Sequence, residues 1–229
     1  LKFKGIVSIQ AKGQGTITSI MAECSNNTQL RGIVRGDYQS IGDNENFKTL
    51  LGSATLAITI EPEGRERYQG LVPMDKDSLS ECLEYYFDQS EQLSTKIKLT
   101  ADQHTAAGVL IQEMPHSSND EQARENWQHL SVLLESLKPE EQLKLEHEEQ
   151  LYRLFHEQKV RLFEREKLQF FCSCSKARTA KMLVSLGADE VNQIIQEQGL
   201  IDVNCEFCDQ HYQFDQSDID EIFNQPSVH

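Results

Sequence analysis

Phe171-Cys172-Ser173-Cys174-Ser175 and Cys205-Glu206-Phe207-Cys208, with thirty residues between Cys174 and Cys205, decide how the chain is read. Two close cysteine pairs separated by a domain-sized loop are what a tetrahedral four-sulfur zinc site requires. Each pair supplies one edge of the tetrahedron, and the intervening chain folds around the metal. We therefore expect Cys172, Cys174, Cys205 and Cys208 to bind one Zn²⁺ per chain. Thiolates are also the groups that peroxide and hypochlorous acid attack first. The same residues can serve as a structural staple, a redox sensor, or both.

The surroundings narrow the choice. The chain has 229 residues, an apolar fraction of 38%, a net charge of −15, a pI near 4.9 and a mean hydropathy of −0.54. No apolar run approaches the ~20 residues of a membrane helix. Ten Asp/Glu against three Lys/Arg in Cys172–His229 argue against a nucleic-acid-binding zinc ribbon, because phosphate contacts need clustered cations. Cys24 and Cys82 stand alone, so the cysteines do not form a secreted disulfide framework, and a reducing cytoplasm is expected. The chain opens at Leu1 inside an alternating pattern, Leu1-Lys-Phe3-Lys-Gly-Ile6-Val-Ser-Ile9, and is read as starting within a longer protein, which leaves signal or transit segments open.

Working upstream, residues 1–118 read as an α+β core domain with a mostly antiparallel sheet. Strands are expected at Ile6–Ile9, Ile17–Met21, Leu30–Val34, Leu50–Ile60, Lys96–Leu99 and Val109–Gln112, with a helix from Asp77 to about Gln89. Composition shifts after Pro115. The stretch 119–171 is a charged helical linker, with Trp127, Leu130, Leu134 and Leu137 at helical spacing and a further helix near Glu148–Glu157. Val160–Phe163 and Leu168–Phe171 read as strands. Helices this short are marginal alone and must dock on something. Residues 172–229 form the small zinc domain, with helices at Lys176–Leu186 and Asp189–Gln198, strands flanking Cys205–Cys208, and a last helix capped by Ser217.

Other motifs have plainer readings. Gly13-Gln14-Gly15 is a turn and not a phosphate loop, since neither Lys-Ser/Thr nor a third glycine follows. Cys24 and Cys82 read as packed residues, and Trp127 as part of a buried face that could become a contact surface. His211, three residues after Cys208, is an alternative ligand. A thioredoxin-like couple at Cys205–Cys208 would need a strand-to-helix turn. No Ser/His/Asp or paired-carboxylate arrangement is evident, and no enzyme is expected. A fifty-eight-residue domain has little core, whereas zinc contributes roughly 10–16 kcal/mol to the folding of small cysteine sites. Oxidising the thiolates should therefore unfold the domain and loosen the charged helices upstream.

The motifs Leu151-Tyr-Arg-Leu-Phe-His-Glu157, Val160-Arg-Leu-Phe-Glu164, Phe171-Cys-Ser-Cys-Ser175, Cys205-Glu-Phe-Cys208 and Tyr212-Gln-Phe214 resemble the thirty-three-kilodalton heat shock protein family of redox-regulated chaperones. So do Glu66-Arg-Tyr-Gln-Gly70, Leu83-Glu-Tyr-Tyr-Phe87, Ser90-Glu-Gln-Leu93 and Gly108-Val-Leu-Ile-Gln112; Ala106-Ala107-Gly108 departs where a second glycine is expected. The resemblance implies a bacterial, cytoplasmic, ATP-independent holdase that is inactive while reduced and zinc-bound. It implies disulfides Cys172–Cys174 and Cys205–Cys208 on oxidation, zinc release, unfolding of the 119–171 linker, capture of unfolding clients and homodimerisation. It implies neither nucleotide, nucleic acid nor membrane as partner. The alternatives are a thiol–disulfide oxidoreductase and a static zinc-stapled adaptor.

Overall fold

Alternating burial along two strands places the main core. In the computed structural model, which describes residues 4–26, 28–42, 45–115 and 121–224, Leu56 and Ile58 of β4 (Thr55–Pro62) face inward with Gly70 and Val72 of β5 (Tyr68–Pro73). The antiparallel register sets Leu56 opposite Val72 and Ile58 opposite Gly70. β1 (Gly5–Lys12) pairs antiparallel with β4 and with β2 (Ile17–Ser25), and the hydrogen-bonded order runs β5-β4-β1-β2-β3, where β3 is Gln29–Gly36. The α+β class with a mostly antiparallel sheet is as expected. The start of the opening alternation, residues 1–3, lies outside the described residues, as does the expected domain boundary at 118/119.

The chain divides into two compact units, 1–28 with 34–167, and 29–33 with 168–229. In the first, α2 (Leu79–Tyr86) lays Cys82, Leu83 and Tyr86 on the sheet beside Leu51, Leu56, Ile58, Val72 and Met74. Ser78 caps α2 by accepting from the Glu81 N–H. The Leu50–Ile60 run is not one strand. Its first residues end a short helix, α1 (Phe47–Leu51), and Gly52 at φ +61° turns the chain into β4. The Leu51 carbonyl freed by that turn accepts from both Gln14 and Gly15 N–H groups at 2.9 Å. Gly13 and Gly15 wrap this carbonyl so closely that a Cβ on either would lie 2.4 Å from a backbone oxygen. The Gly-Gln-Gly motif thus holds a backbone oxygen where a phosphate loop would hold phosphate.

β5 was not expected as a strand, because Gly70 and Pro73 interrupt its pattern. It forms an edge of the sheet, where a proline costs no ladder hydrogen bond. Gly70 is required for a further reason: the Tyr86 ring, 1% exposed, packs where its Cβ would stand.

The hairpin β6 (Thr95–Ala101) and β7 (Ala106–Gln112) carries the helical stretch α3 (Glu121–Glu135), α4 (Pro139–Lys144) and α5 (His147–Phe155). Leu134, Leu137, Leu154 and Phe155 are buried together, with Val109 and Ile111 packed against them. Trp127 is only half-buried and lines an outer charged cleft with Tyr85 and Lys96. Pro139, expected to break the helical run, also begins α4 at its first position, and Glu141 accepts from the Lys138 N–H at 3.1 Å. Two buried glutamines set this docking. Gln142 donates to the Lys98 carbonyl at 2.8 Å and accepts from Thr100 Oγ1 at 2.6 Å, while Gln150 donates to the Leu145 carbonyl at 2.7 Å. Val160–Phe163 is not a strand, since no strand among the described residues offers it a ladder; it is exposed and without regular structure, with Arg165 paired to Glu146 at 3.0 Å and to Glu148.

In the second unit β8 (Gln169–Phe170) pairs parallel with Gln29 and Leu30. There follow α6 (Lys176–Leu186), α7 (Ala188–Gln198), the antiparallel pair β9 (Ile201–Asn204) and β10 (His211–Phe214), and α8 (Gln216–Asn224). Its core is small: Leu183, Val191, Ile195, Ile201, Phe214 and Ile219. The cap of α8 is Asp215, not Ser217. Asp215 Oδ1 accepts from the Asp218 N–H at 2.9 Å and Asp218 Oδ2 accepts from the Asp215 N–H at 3.2 Å, a reciprocal box two residues earlier than expected.

Substituting Gly70→Ala should force Tyr86 out of its position and lower the unfolding free energy by about 1–3 kcal/mol. A urea midpoint equal to that of the unchanged protein would show that the ring yields without cost.

Candidate metal centre

Each cysteine pair is held by ordinary backbone chemistry. Cys172 and Cys174 lie between β8 and α6, where Ser175 caps the helix by accepting from the Arg178 N–H at 3.2 Å. Cys205 and Cys208 sit in the turn between β9 and β10. The Cys205 N–H donates to the Gln210 carbonyl at 2.9 Å, the Asp209 N–H to the Cys205 carbonyl at 2.7 Å, and Asp209 takes φ +57° to close the turn. Aspartate is one of the few side chains that accepts that conformation readily.

The two turns bring all four sulfurs within 4.8 Å of one another. Cys172 Sγ lies 3.6 Å from Cys205 Sγ, and Cys174 Sγ lies 3.3 Å from Cys208 Sγ. A tetrahedron with metal–sulfur bonds of ~2.3 Å has sulfur–sulfur edges of about 3.8 Å, whereas a disulfide needs about 2.05 Å. All four are free thiols, half-buried, at the separation a metal imposes rather than that of a bond. Among the described residues no other group of His, Cys, Asp and Glu comes together in this way.

Electrostatics say the same. Burial pushes the Cys172 thiol up, but the Cys174 N–H and the neighbouring thiols outweigh it and bring it down to about 7. Cys208 receives the Gln210 N–H, which favours its thiolate. Sharing a proton with Cys174, burial, and the other two thiols prevail, and push it up to about 12. Four adjacent sulfurs cannot all ionise on their own: one gives up its proton readily and another is the last to do so. A bound dication supplies the positive charge that lets four thiolates coexist. The donor set and spacing therefore fit a metal ion.

Tyr212 on β10 donates its hydroxyl to Cys174 Sγ at 3.1 Å, and that bond pushes its phenol up to about 12. Arg31 Nη1 stands 4.0 Å from Cys172 Sγ and 3.4 Å from Ser173 Oγ, and Arg178 donates to the Ser173 carbonyl at 3.2 Å. Sequence reasoning assigned none of these three a role at the site. Tyr212 lies four residues beyond Cys208, a local signal that was available; Arg31 is 141 residues from Cys172 and had none.

The remaining expectations resolve simply. His211 pairs with Asp202 at 3.0 Å and is not among the clustered ligands. The Cys205–Cys208 turn joins two antiparallel strands and starts no helix, unlike a thioredoxin couple. Cys82 is fully buried in the main core, which pushes its thiol up, and Cys24 sits half-buried on β2 opposite Val7. No helix among the described residues is long and apolar enough to cross a membrane.

Comparison with known proteins agrees with this architecture. The sequence profile described as Hsp33 protein matches residues 1–215. The 33 kDa chaperonin of Hahella chejuensis is 43% identical over 230 residues, spanning 100% of this chain and 80% of the relative. That of Ectopseudomonas mendocina is 42% identical over 226 residues, spanning 97% and 77%. The crystal structure of the 33 kDa chaperonin from Thermotoga maritima superposes with a TM-score of 0.82, covering 97% of this chain and 78% of that one at 22% identity, and so shares the fold. The chain belongs to the Hsp33 family, a family of chaperones and not of enzymes.

Proposed function

We propose that this protein is a redox-regulated, ATP-independent holdase. It is inactive while Cys172, Cys174, Cys205 and Cys208 are reduced and hold one Zn²⁺, and it is activated when they are oxidised. The observation that carries the reading is the set of four half-buried sulfurs at metal-site spacing in a lobe whose fully buried apolar side chains, among the described residues, form one small cluster around Val191 and Phe214. So small a core leaves the lobe dependent on its metal for roughly 10–16 kcal/mol of folding free energy.

Oxidation would proceed in the same way at each cysteine pair. One thiolate of a pair attacks a hydroperoxide oxygen, the O–O bond breaks, and a sulfenic acid and a hydroxide form; the hydroxide takes a proton. The second thiolate attacks the sulfenic sulfur, forms the S–S bond and expels a second hydroxide. Each pair gives two electrons and each peroxide yields two waters. The pairs Cys172–Cys174 and Cys205–Cys208 are those the family resemblance implies; their members are separated by one and two residues in the chain, so each bond would close within its own turn. The donors are then consumed and the lobe loses its staple.

The stretch 119–171 is the responding element. Its helices are short, and their apolar face (Leu134, Leu137, Leu154, Phe155) is buried only by docking. The segment from Val160 to Phe171 already exposes Val160, Leu162, Phe163, Leu168, Phe170 and Phe171 and leads by chain continuity into the first cysteine pair. Undocking would offer these surfaces to the apolar segments of unfolding clients. Homodimerisation of the oxidised form and a cytoplasmic location belong to the same reading, and neither nucleotide nor membrane has a part in it.

Peroxide with mild heat should release about one zinc per chain, remove four thiols, lower the helical circular dichroism signal and switch on suppression of client aggregation. Metal retained under peroxide would instead support a static adaptor, and catalytic turnover of disulfide substrates an oxidoreductase. Replacing both Cys205 and Cys208 with Ser should weaken zinc binding at least a hundredfold and loosen residues 172–224 without oxidant. Tight stoichiometric zinc in that variant would show the ligands to be misassigned.

A further inference from the structure

One side chain touches both cysteine motifs. Gln29 and Leu30 lie alongside Gln169 and Phe170 in parallel register, and the Phe171 N–H donates to the Leu30 carbonyl at 3.0 Å. The next residue, Arg31, therefore emerges beside Cys172. Its guanidinium carbon stands 4.5 Å above the centroid of the Phe207 ring, while Nη1 lies 3.4 Å from Ser173 Oγ and 4.0 Å from Cys172 Sγ. Ser173 is the residue between the first two cysteines, and Phe207 lies between the second two. Arg31 thus bridges the two ligand pairs without a covalent bond.

We propose that Arg31 is a positioning residue of the cysteine centre, a clamp that stacks on Phe207 and hydrogen-bonds at Ser173, holding the two sulfur pairs at metal-binding distance and tying them to the Leu30–Phe171 strand pairing. The inference rests on the metal-centre reading above. A planar guanidinium lies flat on a ring while its N–H groups donate in its own plane; an ammonium is a compact point charge without that flat fork, so it reproduces the geometry only in part. Its positive charge also faces a site where four thiolates and a dication leave two net negative charges, in a lobe otherwise rich in carboxylates. The clamp has a regulatory consequence. When the cysteine turns lose their order, Phe207 and Ser173 leave Arg31, and residues 169–171 lose the contact that keeps them beside residues 29–30.

The test uses the reduced, zinc-loaded chain and its variants R31A, R31K and F207L. It follows the rate of zinc transfer to a chromophoric chelator and the hydrogen exchange of the Phe171 amide. R31A should release zinc roughly tenfold faster and lose protection at Phe171, and R31K should recover only part of each. F207L should accelerate release severalfold, and the R31A/F207L double variant should be no faster than R31A, because both changes remove the same contact. Wild-type release from R31A, full rescue by R31K, or additive single effects would each overturn the clamp. Should R31A not fold, F207L decides alone: release at the wild-type rate overturns it. A wild-type chain that binds no zinc would remove the proposed function instead. Phe171 exchange in the same variants then judges the clamp, and protection that is absent in the wild type or equal in R31A defeats it.

Discussion

Four sulfur atoms held within 4.8 Å of one another constitute the constraint on which the second unit depends. As bare thiolates they would repel, and as thiols they would share protons through weak S–H hydrogen bonds. Only a shared cation turns this crowding into net attraction. The backbone is arranged for that outcome: the Cys174 and Gln210 N–H groups point at sulfur, Tyr212 donates to Cys174, and Asp209 accepts a left-handed conformation so that the second turn can close. These features favour negative charge on sulfur, so the site is strong while occupied and frustrated otherwise. In the proposed function, folding free energy held in groups an oxidant can consume is what would let the site act as a switch.

The first unit shows a complementary economy. Its sheet and α2 enclose a buried core around Leu56, Ile58 and Tyr86. The helices after α2 attach through a separate apolar cluster around Leu134, Leu137, Leu154 and Phe155 and through a glutamine, Gln142, whose amide satisfies the hairpin's carbonyl and hydroxyl groups. Buried amides specify a register more than they stabilise it, because each must exchange good hydrogen bonds with water for good ones inside. A stretch docked in this way has a defined place.

How far the chain was readable from its residues varies with the range of the interactions. The cysteine motifs, the helices ended by Gly187 and Gly199, and the strands around Cys205–Cys208 were legible because their signals lie within a few residues. The strand assigned to Leu50–Ile60 and the one assigned to Val160–Phe163 were not, for opposite reasons. In the first, Gly52 and the Gly13–Gly15 turn impose a break that hydrophobicity does not report. In the second, a strand-like composition found no partner to pair with. The cap of α8 was misplaced because Ser217 and Asp215 are both good caps, and only the actual start of the helix chooses between them.

The residues alone determined that there is a four-sulfur site, which four cysteines compose it, and that the rest is an acidic α+β protein, since these follow from residue type and short spacing. Folding decided what stands around that site. Arg31, from a strand 141 residues upstream, reaches Cys172 only because β3 and β8 run side by side. Gly70 is needed only because Tyr86 arrives there from α2. Contacts between distant segments depend on which strands pair and which faces meet, and local pattern carries no record of that choice.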